Sequence, residues 1–325
     1  MNLMKRIFLT SAILAALLII TAVTYSFWQF TNPRTLGKPV TVILASGTGS
    51  KAILQQLHAA NLTPAWWLMA IPVRLQNTTL KAGEYEFEGT LSPVNMIAKI
   101  ARGDVVIHKI TLPEGWNTRQ LAHALMAEEK LSGDLPTLIE GAYLPETYHF
   151  SRAEARSAVL ARMKTAMDET LQKLWKIRAP DLPIHTPEQA IILASIIERE
   201  TGVAAERPMV ASVYINRLRA GMPLQADPTV AYGIEQAAGS AMSRPLTRAD
   251  LKTDHPWNTY TRGGLPITAI ANPGTASIAA ALNPPATNYL YFVASGKGGH
   301  VFASSLAEHN RNVAAYRKQA RARQP

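Results

Sequence analysis

An uncharged apolar run at the N-terminus constrains this chain more than any other feature. Residues 7–28 contain no charged side chain and include the continuous aliphatic stretch of residues 13–20. As a helix this run extends about 33 Å, which is enough to cross the hydrocarbon core of a bilayer. The run therefore predicts a transmembrane helix at residues 7–28, with the remainder of the chain folding beside a membrane.

The residues that flank the run predict its orientation. Lys5 and Arg6 precede it, and positive residues favour the cytoplasmic side of a membrane. Its far end carries aromatic residues typical of the membrane interface: Tyr25, Phe27, Trp28 and Phe30. A cleaved signal peptide has the same basic start, but it needs small residues at its cleavage site, which this exit lacks. We expect an uncleaved single-pass anchor in a bacterial inner membrane, with residues 1–6 cytoplasmic and the folded domain periplasmic.

Composition excludes several classes of protein. The 325 residues include no cysteine, so disulfide scaffolds, zinc-thiolate sites and thiol nucleophiles are ruled out. No Gly-x-Ser-x-Gly, Ser-x-x-Lys, His-Glu-x-x-His or phosphate-binding loop motif occurs. The formal net charge of +10 favours an anionic partner, either lipid or an acidic wall polymer. We expect no nucleic-acid partner outside the cytoplasm, no metal and no cofactor.

Short segments that each read as a strand, a turn and a helix predict an α+β fold. Residues 42–57 and 110–125 share the same order of apolar strand, glycine turn and amphipathic helix, with Ser50 and Thr118 as expected helix caps. A partial third copy begins at Gly83 and places Ser92 and Pro93 at a helix start. A longer helix is expected at residues 153–176.

A buried helix ending in two glutamates is the most informative segment. Thr186 and Pro187 predict its start, residues 190–197 are apolar on every face, and Glu198 and Glu200 follow. Burial and the helix dipole disfavour the ionised form of Glu198, which is the environment that a general acid needs. Glu200 lies about 200° around the helix and projects elsewhere. The alternative is that both glutamates are structural charges, held by Arg199 or Arg207. We expect Glu200 to be a supporting group that pairs with an arginine such as Arg207 or Arg217.

Polar loops follow this helix, at residues 224–233, 255–266 and 271–274. Their amide, carboxylate and hydroxyl groups can hydrogen-bond a sugar, and either Trp257 or Tyr260 can pack against its ring face. Ordinary turns are the alternative interpretation.

Residues 192–201, Ile-Leu-Ala-Ser-Ile-Ile-Glu-Arg-Glu-Thr, closely resemble the catalytic segment of the endolytic murein transglycosylase family (MltG, YceG-like). Further blocks resemble the family in the same order: residues 211–218, 224–230, 258–260, 263–266, 271–274, 289–294 and 296–302. The resemblance implies a linker at 29–40, a small LysM-like strand-helix subdomain at 41–108 and a larger mixed catalytic domain at 109–325. It implies Glu198 as the catalytic residue, at the end of a buried helix. The substrate-binding residues that we expect are Glu200, Gln225, Asp227, Thr229, Asn258, Tyr260 and Asn272.

The resemblance implies a peptidoglycan lytic transglycosylase, a lyase that cleaves the MurNAc-GlcNAc linkage, leaves 1,6-anhydro-MurNAc ends and limits the length of nascent strands. One glutamate suffices for that reaction because the nucleophile belongs to the substrate. A hydrolytic muramidase, with Glu200 or Asp227 as the second carboxylate, is one alternative. Another is a non-catalytic, membrane-tethered peptidoglycan-binding protein. Expected partners are glycan strands, the inner membrane and peptidoglycan synthases (penicillin-binding proteins).

Overall fold

The computed structural model describes residues 3–75 and 77–322 and divides the chain into two compact units. The first consists of residues up to 108 together with 149–154, and the second of residues 109–148 and 155 onwards. The elements of the first are α1 (Leu3–Thr31), β1 (Arg34–Thr35), β2 (Val40–Leu44), α2 (Ser50–Ala59), α3 (Trp66–Leu75), β3 (Gly83–Phe87), β4 (Thr90–Leu91) and α4 (Pro93–Arg102). Strands β5 (Ile107–Thr111) and β6 (Thr147–Ser151) form a two-stranded sheet.

The second unit is mainly helical. Its elements are α5 (Thr118–Ala127), α6 (Arg156–Lys176), α7 (Pro187–Glu200), α8 (Arg207–Arg219), α9 (Asp227–Ala238), α10 (Thr275–Leu282), β7 (Tyr291–Ala294), β8 (His300–Ala303) and α11 (Leu306–Ala322). Strands β7 and β8 form an antiparallel hairpin. The mixed α and β character that the sequence predicts is confirmed.

Two antiparallel strand pairs organise the first unit. Strand β2 pairs with β3 in a register from Val40 opposite Phe87 to Leu44 opposite Gly83, and β1 pairs with β4. The predicted start of α4 is confirmed, since the Ser92 side chain accepts a hydrogen bond from the Asn95 backbone N–H.

The expected hydroxyl caps of α2 and α5 are wrong by one residue. Gly49 is the N-cap of α2, and Asn117 is the N-cap of α5. Asn117 forms a reciprocal capping box with Gln120, an arrangement that satisfies two backbone donors at once. The Thr118 hydroxyl instead donates to the Glu140 carboxylate at 3.0 Å.

Helix α1 carries the predicted membrane span. Residues Arg6–Thr31 are long and apolar enough to cross a bilayer, with a mean hydropathy of 2.5 in the most apolar window and no buried residue there. The helix continues into the segment expected to be a linker, and Phe30 is buried in the core of the first unit. The charged N-terminus expected at residues 1–6 lies partly outside the described residues.

Helix α7 lies at the centre of the second unit, where it packs against α6, α8, α9 and α10. Its predicted burial is confirmed, because every residue from Leu193 to Ile197 is buried. Thr186 caps the helix by accepting from the Gln189 N–H at 3.2 Å, while the Gln189 side chain accepts from the His185 N–H. A rigid, buried helix therefore carries both glutamates at its C-terminal end.

One predicted loop is a helix. Residues 227–238 form α9, with Asp227 and Pro228 in its first turn. Proline at the start of a helix and an acidic residue near its N-terminus both favour that conformation. The polar side chains expected on a loop are thus fixed to a rigid element.

The close approach of α9 to His255 predicts that Gly233→Ala destabilises the protein. A Cβ at Gly233 would overlap the His255 ring. Overpacking of this kind costs about 1–3 kcal/mol, so thermal unfolding should show a lower Tm. Gly263→Ala is the matched control, since a Cβ there meets nothing within 4 Å. Equal Tm values for the two variants would contradict the packing described here.

Candidate active site

Glu198 is held by two partners from distant parts of the second unit. Arg207 Nη2 donates to Glu198 Oε1 at 2.8 Å, and the Gly274 backbone N–H donates to Glu198 Oε2 at 2.9 Å. The Glu198 side chain is only 4% exposed. Each Glu198 carboxyl oxygen thus accepts a hydrogen bond from a fixed donor.

Arg207 connects Glu198 to a second carboxylate. The same Nη2 atom lies 2.8 Å from Glu114 Oε2, and Glu114 belongs to the turn that precedes α5. Of the two arginines expected beside Glu200, Arg207 pairs with Glu198 instead, whereas Arg217 lines the same cavity as Glu200. The contacts of Glu198 join the end of α7, the start of α8 and the start of α10.

Glu200 faces a different environment, as the helical geometry predicts. It lines a cavity of about 210 Å³ in the second unit. Among the described residues, none hydrogen-bonds its buried Oε2 atom. The pKa of Glu200 is raised to about 7, chiefly by burial and also by the nearby Asp227 charge, while Tyr214, His300 and Arg217 oppose the rise. Glu200 can therefore hold a proton near neutral pH and release it.

The cavity gathers four of the residues expected to act on substrate. Its lining consists of Glu200, Tyr214, Arg217, Leu224, Gln225, Asp227, Tyr260, Phe292 and His309. The Tyr260 hydroxyl donates to Asp227 Oδ1 at 2.6 Å. Gln225 has a positive φ of 52° and accepts a hydrogen bond from Arg217 at 3.3 Å. Carboxyl, amide and phenol groups thus surround one space, as a sugar-binding site requires.

Arg217 organises one wall of this cavity. Its Nε donates to the Leu290 carbonyl at 2.7 Å, and its Nη1 donates to the Leu224 carbonyl at 2.8 Å. These bonds connect α8 to the segment before β7 and to the loop before α9. Tyr214, on the same helix, is buried, and burial raises the pKa of its hydroxyl, which stays neutral beside Glu200.

Thr229, Asn258 and Asn272, which the sequence predicts to bind substrate, are all fully buried in the structure. The Thr229 hydroxyl donates to the Ala226 carbonyl at 2.6 Å. The Asn258 amide donates to the Thr253 carbonyl at 2.7 Å, and the Asn272 amide accepts from the Tyr143 N–H at 3.1 Å. These side chains satisfy backbone groups of the loops around the cavity.

A comparison with known families decides what kind of protein this is. The model of the YceG-like family matches residues 42–315. The chain belongs to the YceG-like family. The match includes α7 with both glutamates and every residue that lines the cavity.

Relatives of this YceG-like chain carry a functional name. It is 29% identical to the endolytic murein transglycosylase of Bacillus subtilis (strain 168), over 84% of this chain and 83% of that protein. It is 25% identical to the endolytic murein transglycosylase of Streptococcus pneumoniae serotype 2 (strain D39 / NCTC 7466), over 85% of this chain and 58% of the relative. The chain therefore spans little more than half of the pneumococcal protein.

A solved structure shares the fold of this YceG-like chain. The crystal structure of a yceG-like protein from Listeria monocytogenes has a TM-score of 0.55 and 27% sequence identity. The similarity covers 85% of this chain and 99% of that one.

Sequence reasoning did not single out four residues of this YceG-like cavity: Tyr214, Leu224, Phe292 and His309. Tyr214 lies three residues before Arg217 on α8, so the two share a helix face, and this spacing could have indicated Tyr214. His309 lies on α11, and no local pattern connects it to α7. Within residues 3–75 and 77–322, no group of three His, Asp or Glu side chains is arranged to hold a metal ion.

Proposed function

We propose that this chain is an endolytic murein transglycosylase that cleaves MurNAc-GlcNAc linkages and leaves 1,6-anhydro-MurNAc ends. One observation carries the proposal: the carboxyl group of Glu200 lies in a polar cavity and has a pKa of about 7. The relatives from Bacillus subtilis and Streptococcus pneumoniae, both named endolytic murein transglycosylases, support the same reaction.

Glu200, rather than Glu198, is the acid and base in this proposal. Glu198 was the residue expected from the sequence, but its carboxylate is occupied by Arg207 and by the Gly274 N–H. Glu200 has an unpartnered buried oxygen and a pKa that suits proton transfer in both directions at neutral pH. Glu198 then positions the end of α7 and does not touch substrate.

The reaction needs one protonated carboxyl group. Glu200 gives its proton to the glycosidic oxygen as the bond from that oxygen to the MurNAc anomeric carbon breaks. The MurNAc 6-hydroxyl then attacks the same anomeric carbon, and the Glu200 carboxylate takes the hydroxyl proton. The 1,6-anhydro ring forms without water, and Glu200 returns to its protonated form.

The other cavity residues are proposed to hold the sugar. Asp227 and Tyr260 form a hydrogen-bonded pair, and Gln225 is fixed by Arg217. These groups can bind hydroxyl and acetamido groups of a glycan, while the tyrosine ring covers an apolar sugar face.

Because Asp227 lies in the same cavity as Glu200, hydrolysis by a muramidase is the second candidate function. Asp227 and Glu200 each contribute a carboxyl group there, and hydrolysis generally uses two such groups. The Asp227 Oδ1 atom accepts the Tyr260 hydroxyl, which favours a binding role over activation of water.

Mass analysis of the products of murein digestion by the purified full-length protein tests the proposal. Anhydro ends are expected. Reducing ends would establish the muramidase, and intact glycan strands would establish a non-catalytic binding protein.

The cellular setting is part of the same proposal. We infer an N-terminus in the cytoplasm, a periplasmic catalytic unit, and a LysM-like first unit that binds glycan strands. Cleavage close to the membrane would limit nascent strands made by penicillin-binding proteins. The apolar helix α1 supports the location.

The raised pKa of Glu200 predicts the pH dependence of cleavage. The free enzyme must carry the proton, so kcat/KM should be constant below pH 7 and fall about tenfold per pH unit above it. Asp227→Asn removes a charge that raises this pKa, so the fall should begin at a lower pH in that variant. Rates on soluble glycan strands between pH 5 and 9 measure both effects. An identical midpoint in the two proteins would contradict the assignment.

A further inference from the structure

Helix α3 presents an apolar face to the surroundings of the first unit. Trp67, Ile71 and Leu75 are 58%, 42% and 70% exposed. They are spaced four residues apart and lie along one side of the helix. The opposite side carries Met69 and Val73, which are buried in the core of the unit. Packing in the core therefore does not explain why Trp67, Ile71 and Leu75, the exposed row of α3, are apolar.

The row is held at the end of the membrane span. The Ser26 hydroxyl of α1 donates to the Leu68 carbonyl of α3 at 2.6 Å, and the two helices pack together. About 20 helical residues cross the hydrocarbon core, so a span that begins at Ile7 leaves it close to Ser26. Helix α3 thus meets α1 where hydrocarbon gives way to lipid headgroups.

No flexible connection separates the span from this unit. Helix α1 continues unbroken to Thr31, and both Ser26 and Phe30 are buried against the folded part. At the same level, Tyr25 and Trp28 remain exposed, as amphipathic rings do at a membrane interface. The row on α3 is therefore carried by a helix that packs directly against the end of the span.

We propose that Trp67, Ile71 and Leu75 insert into the interfacial layer of the bilayer that α1 crosses. Tryptophan favours this layer, and the exposed Arg74 on the same helix can extend its guanidinium to lipid phosphates. The first unit is then docked on the membrane through two contacts, the span and α3. This docking holds the unit at a constant height above the bilayer.

Site-directed quenching tests the docking in the full-length protein. The chain has no cysteine, so single cysteines can carry an environment-sensitive fluorophore without background labelling. The test position is Ile71→Cys, and the matched control is Gln56→Cys on the exposed polar face of α2. Leu17→Cys reports insertion of the span. Each protein is reconstituted in vesicles of phosphatidylcholine and phosphatidylglycerol that contain nitroxide lipids, with the nitroxide near the headgroup for residues 71 and 56 and deep in the acyl chain for residue 17.

The label at residue 71 should be quenched at least about twofold more than the label at residue 56 and emit at shorter wavelength. Adding Trp67→Glu and Leu75→Glu should reduce quenching at residue 71 to the level at residue 56, with an unchanged Tm because both side chains are exposed. Equal quenching at residues 71 and 56 would overturn the proposal, as would an unquenched label at residue 17. Cross-linking of residue 71 between two copies, without quenching, would assign the face to self-association instead.

Discussion

Glu200→Gln is expected to lower murein cleavage on the order of 10²–10⁴-fold while Tm stays close to that of the wild type. The amide keeps the shape of the carboxyl group but can neither give a proton to the glycosidic oxygen nor accept one from the 6-hydroxyl. Folding should tolerate the change because a carboxyl group with a pKa of about 7 is about half protonated at pH 7, so the fold already accommodates its neutral form. Release of soluble products from sacculi and thermal unfolding measure the two effects.

Glu198→Gln is the matched control, since it makes the same chemical change two residues away on the same helix. It weakens the contacts with Arg207 and Gly274, so Tm should fall. The folded fraction should retain much more activity than the Glu200 variant and still form anhydro ends. Abolished cleavage at unchanged Tm in the Glu198 variant, together with an active Glu200 variant, would return the catalytic role to Glu198.

Arg207→Met is expected to destabilise the second unit by about 3–5 kcal/mol, because it leaves the buried Glu198 carboxylate without its cation. A Tm decrease of roughly 10 °C corresponds to this loss for a unit of about 200 residues. Glu114 loses the same partner, but its side chain is far more accessible to water. Thermal unfolding followed by circular dichroism measures the effect.

Two further variants identify the cause of that loss. Lys164→Met breaks an exposed pair with Asp168 and should change Tm little, because solvent screens such pairs. The double variant, Arg207→Met with Glu198→Gln, should lose less stability than the two single variants lose together, because it no longer buries an unpaired charge. Additive losses would show that Arg207 contributes through packing alone.

Local patterns were sufficient for several elements. The uncharged run at residues 7–28 indicated α1, and the apolar segment at residues 190–197 indicated a buried α7. Both follow from hydrophobicity and helical periodicity, which neighbouring residues determine. The opposite directions of Glu198 and Glu200 also follow from the turn angle of a helix. Helix α9 was missed, although Asp227 and Pro228 at its start are a local signal.

Only the tertiary structure gave the two glutamates different surroundings, and with them the raised pKa of Glu200. Glu198 and Glu200 have the same side chain at the end of the same helix, so the segment itself does not distinguish them. Arg207 and Gly274 reach Glu198 from other elements and hydrogen-bond its carboxyl group, whereas Glu200 faces a cavity built by α8, α9 and α11. Asn258 and Asn272 are likewise buried because of the tertiary structure, which packs other loops around them. A side chain's protonation and accessibility depend on what the fold places against it, and residues distant in sequence supply those groups.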